Sequence, residues 1–276
     1  MRGGGSKVAP AVHARPAERQ TALALAARSR NNNAMHPTYS LQPVGILHSP
    51  YREKFGIPRQ PGLAPHALAT VTLLPPYNHI DSVRGLDSFS HVWLIFAFHQ
   101  TAEHGWRPTV RPPRLGGNAR VGVFASRSTF RPNPLGLSVA ELLGIDSEHG
   151  VVLRQRGVDL LDGTPILDIK PYIPFVDSQP QARGGFVDGP PATLAVTWSA
   201  AAAAAVQRHQ ARHPELAALI EEVLAQDPRP AYQDDPAREY GVRLHDYNIR
   251  FRIDGQRAYV LDVIDTCPHV QGTPAG

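Results

Sequence analysis

The stretch that most constrains this chain runs from Phe124 to Leu143. Two apolar runs, Val121–Phe124 and Leu137–Leu143, flank a polar segment holding Arg127, Arg131, Pro132, Asn133, Pro134 and Gly136. Each proline lacks a backbone N–H, fixes φ and pushes its predecessor toward extended geometry. Arg131 and Asn133 are therefore carried on a stiff, non-helical connection. Gly136 offers either an unusual backbone angle or a close approach. Two readings stay open on local chemistry alone. One is a rigid loop that presents reactive side chains from a scaffold; the other is a proline-rich turn with solvated arginines.

The rest of the chain repeats this texture of short apolar runs and turn residues. Strands are expected at Pro43–Leu47, Ala67–Leu74, His91–Phe98, Arg120–Phe124, Leu137–Ile145, Val151–Val158 and Ile166–Ile169. Ser49–Gly62 and the basic Thr101–Ala119 read as loops, Ile80–Leu86 as a short helix and Asp162-Gly163 as a turn. Short strands at near-regular spacing argue for a β-barrel or sandwich. A Gly/Pro-rich passage near Gln179–Pro191 then suggests a boundary. Ala200–His213 and Pro214–Gln226 follow as helices, the second with Leu216, Leu219, Ile220, Val223 and Leu224 at helical spacing. Val242–Ile253 and Ala258–Ile264 read as a hairpin across Asp254-Gly255. The expected organisation is a floppy extension over residues 1–40, a barrel over 41–178 and a smaller α+β domain over 179–276.

Composition narrows the function classes. The chain has 276 residues, 42% of them hydrophobic, which suffices for a real core. Its net charge of +4 suits an anionic partner. Lysine occurs only at Lys7, Lys54 and Lys170, so the basic side chains are nearly all arginine, which suits phosphate contacts and base stacking. The single cysteine, Cys267, allows no internal disulfide and no cysteine zinc cluster, which fits a reducing compartment. No apolar run reaches membrane-spanning length, and no membrane partner is expected. No metal is expected either: His91, His99 and His104 match no standard ligand spacing. No strand, glycine-rich loop and helix follow one another as in a dinucleotide fold. No Gly-x-Ser-x-Gly elbow stands out for covalent catalysis.

Basic residues with nearby aromatics form the other constellation. Arg250 and Arg252 should share one face of a strand, with Arg243 and Arg257 close by, as a phosphate-tracking stripe or a plain solvated face. Asp227-Pro228-Arg229-Pro230-Ala231-Tyr232 is stiff; Tyr232 either stacks on a base or caps a helix end.

Five segments in order resemble the TrmO (TsaA-like) family. They are Pro43–Ile46 with Lys54–Gly62; Leu86–Trp93; Ser126–Ser138; Gly157–Tyr172; and Asp227–Pro230 with Tyr232. The resemblance spans about Leu41 to Ile264 and implies a mainly β fold, a TsaA-like β-barrel with a smaller α+β C-terminal domain. It implies S-adenosylmethionine-dependent methylation of N6 of threonylcarbamoyladenosine beside the tRNA anticodon, by a cytoplasmic homodimer. The implied cofactor contacts are Gln60, Pro61, Gly62, His99, Gln100, Arg127, Leu137, Asp159, Leu160, Leu161, Asp162, Gly163 and Thr164. Arg127 and Arg131 could clamp the substrate carboxylate, and Asp162, Asp168 or Tyr232 could help remove a proton. Arg229, Tyr232, Arg243, Arg250 and Arg252 would meet RNA. A non-catalytic binding barrel and a methyltransferase of another small substrate are the competing classes.

Overall fold

The computed structural model describes residues 37–116, 119–187, 189–229, 233 and 235–267. Six strands close a barrel: β1 (Gly45–His48), β2 (Leu68–Leu73), β3 (His91–Ala97), β6 (Leu135–Asp146), β7 (Val152–Arg156) and β8 (Thr164–Pro171), in the order β1-β2-β7-β6-β3-β8 and back to β1. Every pairing around it is antiparallel. Period-two alternation explains the closure. Leu47, Val71, Leu94, Leu153 and Ile166 are fully buried at inward positions. The partners between them on each strand face outward.

Two short strands, β4 (Thr109–Val110) and β5 (Val121–Gly122), pair beside the barrel. Arg120–Phe124 is thus not the strand expected: after two paired residues the chain turns into a 3-10 helix at Val123–Ala125. The apolar run there is local anchoring, with Val123 buried and Phe124 exposed, and has no barrel neighbour to extend against. The expected helix at Ile80–Leu86 is two 3-10 turns, Ile80–Val83 and Leu86–Ser88, broken by Gly85 in the left-handed region.

After one helical turn, α1 (Pro174–Asp177), a second sheet forms from β9 (Ala195–Trp198), β10 (Glu239–Leu244), β11 (Tyr247–Asp254) and β12 (Arg257–Asp265), in the order β10-β11-β12-β9. The helices α2 (Ala200–His209) and α3 (Leu216–Ala225) pack against β12 and β9. Ser199 caps α2 by accepting a hydrogen bond from the Ala202 N–H. Leu216, Leu219, Ile220, Val223 and Leu224 are all buried, as the helical spacing predicts.

Val242–Ile253 is two strands rather than one. The buried set is Val242 and Leu244, then Tyr247, Ile249, Phe251 and Ile253, so the alternation slips by one residue at His245-Asp246. That slip is a two-residue hairpin turn, with Leu244 paired to Tyr247 and His245 at φ 50°. The next turn sits one residue later than expected: Asp254 pairs with Arg257, leaving Gly255-Gln256 as the loop, with Gly255 at φ 55°. The parallel strand β9 is too short and too exposed to have announced itself. One continuous apolar core takes in Leu94 and Leu153 of the barrel together with Tyr51, Leu219 and Phe251.

Candidate active site

A cleft of about 560 Å³ opens on the outer wall of the barrel where β3 pairs with β6. That volume lies within the range of small-molecule sites. Its apolar floor comes from outward positions: Ile95 lies opposite Leu137, and Ala97 opposite Leu135. Leu137 is 54% exposed, so this floor is open to solvent rather than part of the core. Gly136 between them has a packing reason. A Cβ there would come within 2.1 Å of the Phe96 ring, so glycine serves close approach and not a left-handed angle.

Loops supply the polar rim. Gln60, from the Ser49–Gly62 loop, accepts a 2.5 Å hydrogen bond from Arg127 Nη1. His99, Gln100 and Thr101 follow the end of β3 and complete the rim. Arg127 sits on the proline-stiffened loop, and Arg131 explains how that loop keeps its shape. Its Nη1 donates to the carbonyls of Ser126 (2.7 Å) and Val123 (3.2 Å), and its guanidinium lies 5.7 Å from the centre of the Phe124 ring. Arg131 therefore lines the cleft while bracing the turn that carries Arg127. This is a narrower role than the carboxylate clamp expected of both arginines.

Asp159 is the one carboxylate among the described residues lining the cleft. Burial pushes its pKa above the usual carboxylate value; a 2.5 Å hydrogen bond from Ser138 Oγ and the nearby Arg127 charge pull it back. Leu160, Leu161 and Thr164 also line the cleft. Their segment is anchored from behind, with the Leu160 carbonyl accepting from Ser49 Oγ at 2.7 Å.

The structure therefore brings together Gln60, His99, Gln100, Arg127, Arg131, Leu137, Asp159, Leu160, Leu161 and Thr164. Pro61, Gly62 and Gly163 lie outside that lining, Gly62 tied by its N–H to the Gly157 carbonyl and Gly163 to that of Leu47. Asp162 does not converge with Gln60 and Arg127 as expected. Its carboxylate points to the opposite side of the segment, accepting from the Ser49 N–H at 3.1 Å and pairing with Arg52. There it lines a second depression of about 430 Å³ with His48, Gln155 and His245. The reason is the turn: Asp162 and Gly163 reverse the chain, so neighbouring acids at 159 and 162 face opposite ways. Asp168 is also absent from the cleft, bonded to its own Ile169 N–H (2.9 Å) and to Lys170 (3.0 Å). Tyr232 lies outside the described residues.

Lys54, Arg59, Ser126, Thr129 and Ile95 line the cleft without having been singled out. Lys54 and Arg59 lie in the same loop motif as Gln60, and Ile95 was legible as the outward partner on a period-two strand. His91 opens β3 and His99 lies two residues past its end.

On the second sheet, Arg243, Arg250 and Arg252 project to the exposed face, with Ile249, Phe251 and Ile253 on the buried one. Arg250 pairs with Glu239, and Arg252 lies 5.1 Å from the Tyr259 ring centre. Arg229 differs: its side chain is only 11% exposed and forms two 2.9 Å bonds to Asp227. It is held in place rather than offered to solvent. No helix among the described residues is long and apolar enough to cross a membrane.

Comparison with known proteins agrees with this architecture. The family profile described as tRNA-methyltransferase O N-terminal domain matches residues 46–178, and that described as TrmO C-terminal domain matches residues 191–266. The tRNA (adenine(37)-N6)-methyltransferase of Escherichia coli is 50% identical over 220 residues, covering 78% of this chain and 94% of that protein. A Pseudomonas aeruginosa relative, described as a candidate S-adenosylmethionine-dependent methyltransferase RcsF, is 51% identical over 216 residues, 78% of this chain and 92% of its own. The crystal structure of TrmO from Pseudomonas aeruginosa superposes with a TM-score of 0.71 at 43% identity, over 83% of this chain and 99% of that one. With a closed barrel, a loop-built cleft on its wall and no Rossmann sheet among the described residues, these matches place the chain among barrel-type methyltransferases. The chain belongs to the tRNA-methyltransferase O family.

Proposed function

We propose that this enzyme uses S-adenosylmethionine to methylate N6 of threonylcarbamoyladenosine next to the anticodon of tRNA. The observation that carries the reading is the cleft itself, where the Arg127–Gln60 pair, His99 and the buried Asp159 surround an apolar floor. The donor set fits the cofactor: an apolar surface for its adenine, amide and hydroxyl partners for its polar groups, and one carboxylate for its positive charge. Gln60, His99, Gln100, Leu137, Asp159, Leu160, Leu161 and Thr164 would hold it.

Bound there, S-adenosylmethionine supplies an electrophilic methyl on a sulfonium whose charge disappears on transfer. The protein's share is orientation and exclusion of water. Lys54, Arg59 and Arg127 give the cleft a cationic rim suited to an anionic modified nucleotide and its flanking phosphates. The ureido N–H of the carbamoyl adenine is more acidic than a plain exocyclic amine. Asp159 and His99 are the described lining residues able to accept its proton, in place of Asp162 and Asp168. The outward Arg243, Arg250 and Arg252 would track the RNA backbone. Tyr232 keeps its expected stacking role.

The reading extends to a cytoplasmic homodimer, for which the outward Phe124 and Phe175 (76% and 88% exposed) offer apolar contact. Light scattering on the full chain measures that state directly. The central experiment mixes purified protein, methyl-labelled cofactor and tRNA with or without the threonylcarbamoyl group. Label should enter only the modified tRNA, in the nucleoside next to the anticodon. Equal labelling of both tRNAs, or transfer to a free small molecule alone, would overturn the substrate assignment.

A further inference from the structure

Outside the cleft lining, the α2–α3 connection meets the β10–β11 turn at a cluster the methyl-transfer reading does not use. His213 Nδ1 and His245 Nε2 each lie 3.4 Å from the same oxygen, Glu215 Oε1. A donor atom from each of the three side chains lies within 4.8 Å of the other two. The imidazoles stack, with ring centres 4.1 Å apart and planes 25° from parallel. The Nε2 atoms of both rings are buried, and neither has a hydrogen-bond partner. At His245 that unpartnered nitrogen is the one facing the carboxylate, and leaving it buried without a hydrogen bond is costly unless something else satisfies it.

We propose that His213, Glu215 and His245 form a binding site for one divalent transition-metal ion, zinc by chemical preference, which ties the α2–α3 turn to the β10–β11 turn. Two imidazoles and one carboxylate make a three-ligand zinc set, with water in the fourth position. The backbone on both sides is already fixed. The His245 N–H donates to the Pro50 carbonyl at 2.7 Å, and the His213 N–H to that of His209 at 3.0 Å. Only side chains must move: the stacked rings swing apart about χ2, a broad and soft torsion. Arg52 and Asp246 flank the turn with opposite charges that offset one another beside the incoming ion.

The full chain is stripped with chelator, dialysed against micromolar zinc chloride and assayed for bound zinc and for thermal unfolding. One zinc per chain and a rise of several degrees in Tm are expected. Both should vanish in His213→Gln and in His245→Asn, the latter chosen because asparagine tolerates the left-handed backbone of residue 245. Zinc that fails to bind, or that binds and stabilises the variants equally, overturns the proposal. Should a variant not fold, cobalt titration of the wild-type chain decides the matter. An intense visible band displaced by zinc supports the site, and a spectrum no different from free aqueous cobalt overturns it.

Discussion

At the scale of single residues, the cleft rests on a few side chains with separable duties. Arg127 and Gln60 meet each other across the mouth, so Gln60→Ala should raise the cofactor KM by about tenfold, roughly 1.4 kcal/mol, with a smaller change in kcat. Asp159 has the opposite balance of activity and stability. Its carboxyl titrates above the ordinary value because burial disfavours the anion. Between the ordinary and the raised value the folded chain binds a proton that the unfolded chain has released. This carboxylate therefore stabilises the fold at low pH, and that contribution is lost as pH rises through the raised value. Asp159→Asn should accordingly leave Tm at neutral pH unchanged or higher while lowering methyl transfer on the order of 10²-fold. A pH series of thermal melts alongside single-turnover rates measures both. Gly136→Ala should cost roughly 1–3 kcal/mol in chemical denaturation, because the added methyl must displace the buried Phe96 ring.

At the scale of elements, the proline-stiffened loop and the Asp159–Thr164 segment are each pinned from outside the cleft. Arg131 supports two carbonyls of its own loop, so Arg131→Ala should open that loop before it disturbs the barrel. Limited proteolysis between Ser126 and Asn133 should accelerate while the barrel core stays intact. Asp162 belongs to a chain of charges running through Arg52 to Asp246 and Arg212. It links the turn after Asp159 with the β10–β11 hairpin. Asp162→Ala should therefore cost about 1–3 kcal/mol of stability by leaving the Ser49 N–H without its partner and removing one of the two carboxylates that Arg52 meets. Its effect on the cofactor KM should be smaller than that of Gln60→Ala.

At the scale of the whole molecule, the continuous core and the outward arginine face set the expectations. Arg250→Ala with Arg252→Ala should weaken tRNA binding and flatten its dependence on log salt by about 1.4–1.8, leaving cofactor binding unchanged. Filter binding across a salt series reads the slope. Much of the barrel could be read from residue order, because inward and outward alternation at Leu94, Leu153 and Ile166 is a local property of an extended chain. The same alternation carried a readable but subtler sign of the His245-Asp246 turn, a one-residue slip between Leu244 and Tyr247. The five motifs, read as a resemblance, named most residues that meet in the cleft. Their side-chain directions were another matter: only the folded turn decides that Asp159 faces the cleft and Asp162 faces Arg52. The His213–Glu215–His245 cluster was hidden for the same reason, since thirty residues of chain separate ligands that packing places side by side. Local periodicity determined which residues form strands. Long-range packing, which no local pattern encodes, determined which of their side chains share a site.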